Sequence, residues 1–204
     1  MKKVENIDPI RQIRDEYDND SITVYQAYNH DIANAAVNHQ RFVAPFKIDR
    51  MTWIKPSFLW MMYRCGWGTK EGQSNILEIK IKRLGFDWAL SNACLSNFDL
   101  DRYASYEDWK KLLKEKPVRI QWDPERDVYF NPLQHRSIQI GLSGRAVELY
   151  VNEWTISIQD ISEKCRKIKR LVDAKNADYE ALLPFEQPYS LNPQIAYAIG
   201  SFNK

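Results

Sequence analysis

Three stretches of the chain alternate strictly between apolar and polar positions. In "NILEIKIKR", Leu77, Ile79 and Ile81 fall on one side and Glu78, Lys80 and Lys82 on the other. "VRIQWD" sets Val118, Ile120 and Trp122 against Arg119, Gln121 and Asp123, and "HRSIQIGL" sets Ile138, Ile140 and Leu142 against Ser137 and Gln139. A period of two marks a strand with one buried face. Strands that keep a polar face suit an antiparallel or mixed sheet better than a doubly wound parallel one. "SITVYQAYN" and "RMTWIK", rich in β-branched and aromatic residues, read as two further strands.

The helical signals lie between these strands. "PIRQIRDEYD" reads as a short amphipathic helix with Pro9 near its first turn, where the missing N–H costs nothing. Asn29 or Asp31 can cap a helix over "IANAAVNHQ". Pro56 reads as the first position of a helix over "PSFLWMMYRCG", closed by Gly66. Ser105 and Asp108 are spaced for a capping-box-like start to "SYEDWKKLLKEK", Ser143 is placed to cap "SGRAVELYVNEW", and "SEKCRKIKRLVDAK" forms a late helix. No Gly-, Ser- or Pro-rich linker and no repeat interrupts the pattern. The expectation is an α+β fold over residues 1–204, with a core from about 10 to 190. It would be a single domain with a central, curved, mixed or antiparallel sheet flanked by helices.

Composition narrows the function classes. With 44% hydrophobic residues in 204, the chain can bury a substantial core. Lys and Arg total 29 against 27 Asp and Glu, a net charge of +2, so any anion-binding surface must be local. The N-terminus has no apolar segment behind its lysines and no run is long enough to span a bilayer, so no membrane association is expected and a cytoplasmic location is the default. Cys65, Cys94 and Cys165 are widely spaced and only three histidines are present, which argues against a metal site or a disulfide framework.

"RMTWIKPSFLWMMYRCGW", Arg50 to Trp67, threads two Arg and a Lys among three Trp and a Tyr. On a helix, Phe58, Met61, Met62 and Cys65 form a core stripe at i, i+3, i+4 and i+7, with Met51 joining the core from the strand. Trp60 and Tyr63 are read first as large core residues with a polar tip. Arg64 stands open between a surface role and a site role. Guanidinium groups match phosphate oxygens, and aromatic planes accept rings. The expectation is that Arg50, Lys55 and Arg64 point into a cleft and meet an anion, most plausibly nucleotide phosphate. Carboxylates such as Asp49, Asp123 or Glu125 are the alternative partners.

The segments "ITVYQAYNHDIANAA", "DRMTWIKPSFLWMMYRCGW", "VRIQWDPERD" and "HRSIQIGLSG" resemble the signature segments of the bacterial and fungal domain of unknown function numbered 4291, over about residues 10 to 190. The resemblance implies one compact domain and supplies no reaction. No GxSxG, GxxxxGK[ST], HExxH or GxGxxG motif occurs. No carboxylate pair is spaced for acid and base roles.

What remains is a set of polar residues at strand ends. Gln26 and Tyr28 lie on the first strand, Arg50, Trp53 and Lys55 on or beside the second, with Ser57 behind them, and His135 and Gln139 on "HRSIQIGL". In outline such a domain is similar to NAD-dependent ADP-ribosyltransferases and the related RNA 2′-phosphotransferases, by analogy of fold alone. The Glu-x-Glu or Gln-x-Glu pair of those enzymes is missing, and "SIQIG" offers Gln139 alone. Two readings survive. The first is a transferase-like enzyme that binds a nucleotide, with NAD as a candidate cofactor. Its binding residues would be Gln26, Tyr28, Arg50, Trp53, Lys55, Ser57 and Arg64, with His135 and Gln139 as catalytic candidates. The second is a non-catalytic nucleic-acid or protein interaction module using "KCRKIKR", where a solvated helix face is the plain alternative.

Overall fold

The computed structural model describes residues 10–201. In chain order the elements are β1 (Arg14–Asp15), β2 (Ser21–Tyr28), α1 (His30–His39), β3 (Thr52–Ile54), α2 (Phe58–Cys65), β4 (Asn75–Lys82), α3 (Arg83–Ser91) and β5 (Ala93–Leu95). These are followed by α4 (Tyr106–Glu115), β6 (Val118–Arg126), β7 (Pro132–Leu142), α5 (Arg145–Leu149), β8 (Thr155–Asp160), α6 (Ser162–Asp173), β9 (Gln187–Pro188) and α7 (Pro193–Ile199). The fold is α+β with antiparallel and mixed sheets, as the half-polar strands imply. β1 pairs with β9, and the other strands form a three-stranded antiparallel sheet, β2-β4-β8, and a four-stranded mixed sheet, β3-β7-β6-β5. A single bridge between Tyr25 and Lys55 ties β2 to β3 and so joins the two sheets.

Strand faces follow the alternation closely. Leu77, Ile79, Ile81, Val118, Ile120, Ile138, Ile140 and Leu142 are buried in one cluster that spans both sheets. Their polar neighbours turn the other way, so a one-residue slip in register would put Glu78, Lys80 and Gln139 into the core. A second cluster gathers Tyr25, Phe58, Met61, Met62, Cys65 and Ile76 with Ile161, Cys165 and Ile168. It holds α2 and α6 against the three-stranded sheet.

Four local expectations are corrected. Residues 10–17 do not form a helix, and Pro9 lies outside the described residues. Ile13 and Asp15 point inward, Arg14–Asp15 pairs with Gln187–Pro188, and the Ile10 and Ile13 carbonyls accept from Arg136 and Tyr189. Long-range pairing satisfies that backbone, and a helix here would leave its partners unsatisfied. Pro56 is not helical. Ser57 is the N-cap of α2 and accepts from the Trp60 N–H at 3.2 Å. Gly144, rather than Ser143, precedes α5, because the Ser143 hydroxyl donates to the Pro117 carbonyl. Helix α3, unexpected from "RLGFDWALS", contains Gly85. A side chain there would meet Trp154, with its Cβ 2.3 Å from the indole Cγ, so the glycine serves a close approach. The other caps agree with the sequence. Asn29 caps α1, Ser105 caps α4 and Gly66 closes α2 in the left-handed conformation.

Candidate functional site

Beyond the Tyr25–Lys55 bridge β2 and β3 part, and a crevice of about 390 Å³ opens there. Its size is within the range of small-molecule sites. The walls come from the end of β2 (Gln26, Ala27, Tyr28), from Arg50, Met51, Thr52, Trp53 and Lys55 on and around β3, and from Met61 and Arg64 of α2. Pro45, Phe46 and Lys47 of the preceding loop close one side, and Gly72 and Gln73 another.

Four basic side chains therefore share one opening: Lys47, Arg50, Lys55 and Arg64. Lys47, Arg50 and Arg64 are exposed at the rim, and Lys55 is buried deeper in. Among the described residues no carboxylate stands on the lining, and none of the four makes an ion pair. Basic groups thus converge on one opening, and water screens the three at the rim.

Lys55 makes the point sharpest. Its Nζ donates to the Trp53 carbonyl at 2.9 Å and lies 5.9 Å from the centre of the Trp60 ring. Burial, helped by the neighbouring Arg64 guanidinium, pulls its pKa from 10.5 down to about 7. Asp123 draws it the other way, but that carboxylate is already engaged. The amides of Gln121 and Gln139 donate to its two oxygens at 2.9 and 2.6 Å. Neutral and protonated forms of the amine are thus close in free energy near pH 7.

The polar edge of β2 is fixed by a buried network. The Gln26 amide donates to Thr52 Oγ1 at 2.7 Å, lies 2.9 Å from the Tyr28 hydroxyl and 3.0 Å from the Trp53 carbonyl, and its oxygen accepts from the Tyr150 hydroxyl at 2.8 Å. The Tyr28 and Thr52 hydroxyls are 2.9 Å apart. Burial raises the Tyr28 phenol to about 12, so it remains a protonated hydrogen-bonding group. These residues hold β2 and β3 in register at the mouth of the crevice. Trp53 is part of the lining, and its carbonyl accepts from Gln26 and Lys55. Its ring lies over Gly141 of β7, where an added Cβ would sit 2.9 Å from ring carbon Cζ2 and from Met51 Sδ. Only glycine leaves that space to the indole.

Six of the nine residues expected at the site meet in this crevice: Gln26, Tyr28, Arg50, Trp53, Lys55 and Arg64. Three lie elsewhere. Ser57 and His135 face a separate, much smaller cavity with Gln12, Arg14 and Glu125. Ser57 acts there as the cap of α2. Gln139 is off the crevice lining, and its amide is committed to Asp123. Tyr63 is also turned away, under the Arg126 guanidinium at 4.1 Å and against Phe130. The structure adds Phe46, Lys47, Met51, Thr52 and Gln73, and only the nearness of Lys47 to Arg50 in "FKIDR" hinted at this in the sequence.

The basic run on α6 is partly compensated. Glu163 pairs with Arg166 and Arg170, and Lys169 pairs with Asp173. Among the described residues no group of His, Cys, Asp and Glu side chains is arranged to hold a metal ion, and no helix is long and apolar enough to cross a membrane.

The family model for the domain of unknown function DUF4291 matches residues 12–189, and the chain belongs to that family. A comparison with curated proteins finds no match.

Proposed function

We propose that the crevice between β2 and β3 binds a nucleotide. The observation that carries this reading is the convergence of Lys47, Arg50, Lys55 and Arg64 on a cavity with no carboxylate on its lining. Guanidinium and ammonium groups at the rim suit phosphate oxygens, which also supply the negative charge that the cluster lacks. Trp53 and Phe46 offer apolar surface for a flat ring, and Gln26 and Tyr28 offer fixed polar groups at one end. The protein is then a transferase-like, nucleotide-dependent enzyme, with NAD among the candidate ligands. Support for an ADP-ribosyltransferase-like outline is the position of the crevice at the parting of two sheets. Against the usual chemistry of those enzymes stands Gln139, whose neighbouring carboxylate Asp123 is held by two amides.

The test is isothermal calorimetry with NAD, ATP, ADP-ribose and inorganic phosphate. Saturable binding of one nucleotide per chain, abolished in Arg50→Met and Arg64→Met, is the expected result. Absence of any saturable binding, with steeply salt-dependent binding of oligonucleotides instead, would replace this reading by the interaction module on α6.

A further inference from the structure

Lys55 is more than one positive charge among four. Rim cations suffice to hold a phosphate, and Lys47, Arg50 and Arg64 are all exposed where an incoming anion meets them. Lys55 is set back from them. Among the described residues its Nζ has a single hydrogen-bond partner, the Trp53 carbonyl, and no carboxylate forms an ion pair with it. The charged and titratable groups around it are Arg64, Cys65 and Asp123. The first opposes protonation, the second is a buried thiol and the third is tied to Gln121 and Gln139. A desolvated amine beside a second cation is the arrangement that keeps a lysine unprotonated and nucleophilic at neutral pH.

We propose that Lys55 is a nucleophile that condenses with the carbonyl carbon of a phosphate-bearing aldehyde or ketone held by Arg50 and Arg64. This rests on reading the crevice as a phosphate site, and it narrows the ligand class. The Nζ lone pair forms the N–C bond, the carbonyl oxygen takes one proton from Nζ and a second from solvent, and its loss as water breaks the C–O bond and leaves a protonated C=N linkage. The cation so formed sits beside the phosphate, so the rim and the amine act on one ligand. A dinucleotide that has lost one of its two bases satisfies every part. It carries phosphates, a remaining base for Trp53 and, on the base-free ribose in its open-chain form, an aldehyde at C1.

Two probes test this on the full chain, pyridoxal 5′-phosphate with borohydride and ADP-ribose with cyanoborohydride, each followed by peptide mass mapping. The expected result at pH 7.5 is one saturating adduct per chain on Lys55. It should be at least about tenfold stronger than with pyridoxal lacking the phosphate, and reduced by a similar factor in Arg64→Met. Lys55→Met should carry no adduct, while Lys167→Met, on the exposed face of α6, should label as the parent does. Labelling spread over exposed lysines in proportion to their exposure would overturn the proposal. So would an unlabelled Lys55 in a chain that binds nucleotides by calorimetry, which would leave the crevice reading in place. Labelling of Lys55 without any nucleotide binding would keep the amine and remove the nucleotide.

Discussion

The Tyr25 N–H donates to the Lys55 carbonyl at 2.8 Å, and this contact is the seam of the molecule. On one side of it β2 runs into the three-stranded sheet, and on the other β3 runs into the four-stranded sheet. The backbone of Lys55 closes the seam while its side chain enters the crevice that opens beyond. Tyr25 turns to the opposite face and packs edge-on against Phe58 at 5.5 Å. One pair of residues thus joins the sheets, anchors the first turn of α2 and fixes the depth of the amine.

Rim cations that serve a ligand should be dispensable for folding. Arg50→Met and Arg64→Met should each weaken nucleotide binding by about tenfold or more and leave the melting temperature within roughly 3 °C of the parent, since neither makes an ion pair with a described residue. Calorimetry and thermal melts on the same samples separate the two effects. A melting temperature that collapses in both variants would make these arginines structural.

Gly141→Ala should behave differently from an ordinary strand substitution. The new methyl group would meet the Trp53 ring and Met51 Sδ, each at 2.9 Å, and displace two residues of the crevice lining. Ligand affinity should fall more than stability does. Trp fluorescence of the free protein should also change. Unchanged affinity would show that Trp53 is not part of the binding wall.

Burial of Lys55 should make stability depend on pH in a definite direction. The amine titrates near 10.5 in the unfolded chain and at about 7 in the fold. Between these values the unfolded chain holds the extra proton, so this contribution improves as pH rises and is most unfavourable below 7. Lys55→Met should therefore gain stability over the parent at pH 6, on the order of a few kcal/mol, and lose most of that gain by pH 10. Chemical denaturation of both proteins across this range checks the slope.

Glu186 should act with the opposite sign. Its Oε1 accepts the Phe58 N–H at 2.7 Å at the start of α2, and burial together with the Glu125 charge raises its pKa from 4.5 to about 8. The fold holds the extra proton in that window, so stability from this group is complete below 4.5 and is lost as pH rises through 8. Glu186→Gln keeps an acceptor for Phe58 and removes the titration. It should match the parent near pH 5 and melt higher than the parent at pH 8.5. Parallel melting curves for the two proteins at all pH values would refute the assignment.

The strand faces carry the last expectation. Ile79 and Ile140 are fully buried at the centre of the two sheets, and truncating either to Ala should cost about 2–5 kcal/mol. Urea unfolding measures this directly. A cost under about 1 kcal/mol at both would place the core elsewhere.

The sequence by itself determined the strand faces, most helix caps and the segment that carries the site. These depend on local rules: a period of two for Leu77, Ile79 and Ile81, a serine before α4, and a glycine free to turn left-handed after Cys65. It also singled out Arg50, Lys55 and Arg64 as three basic residues in a largely apolar segment, and all three line one crevice. Only the tertiary structure decided how the chain uses residues 10–17, where pairing to Gln187–Pro188 overrides an amphipathic pattern that reads equally well as helix. It also decided which polar strand residues face the crevice. Gln139 is committed to Asp123, and His135 faces another cavity, because the parting of β2 from β3 sets where the opening lies. That parting depends on contacts between residues far apart in the chain, and no local spacing encodes it. The near-neutral amine of Lys55 arises the same way, from a desolvation that exists only once Arg64, Trp53 and Trp60 have closed around it.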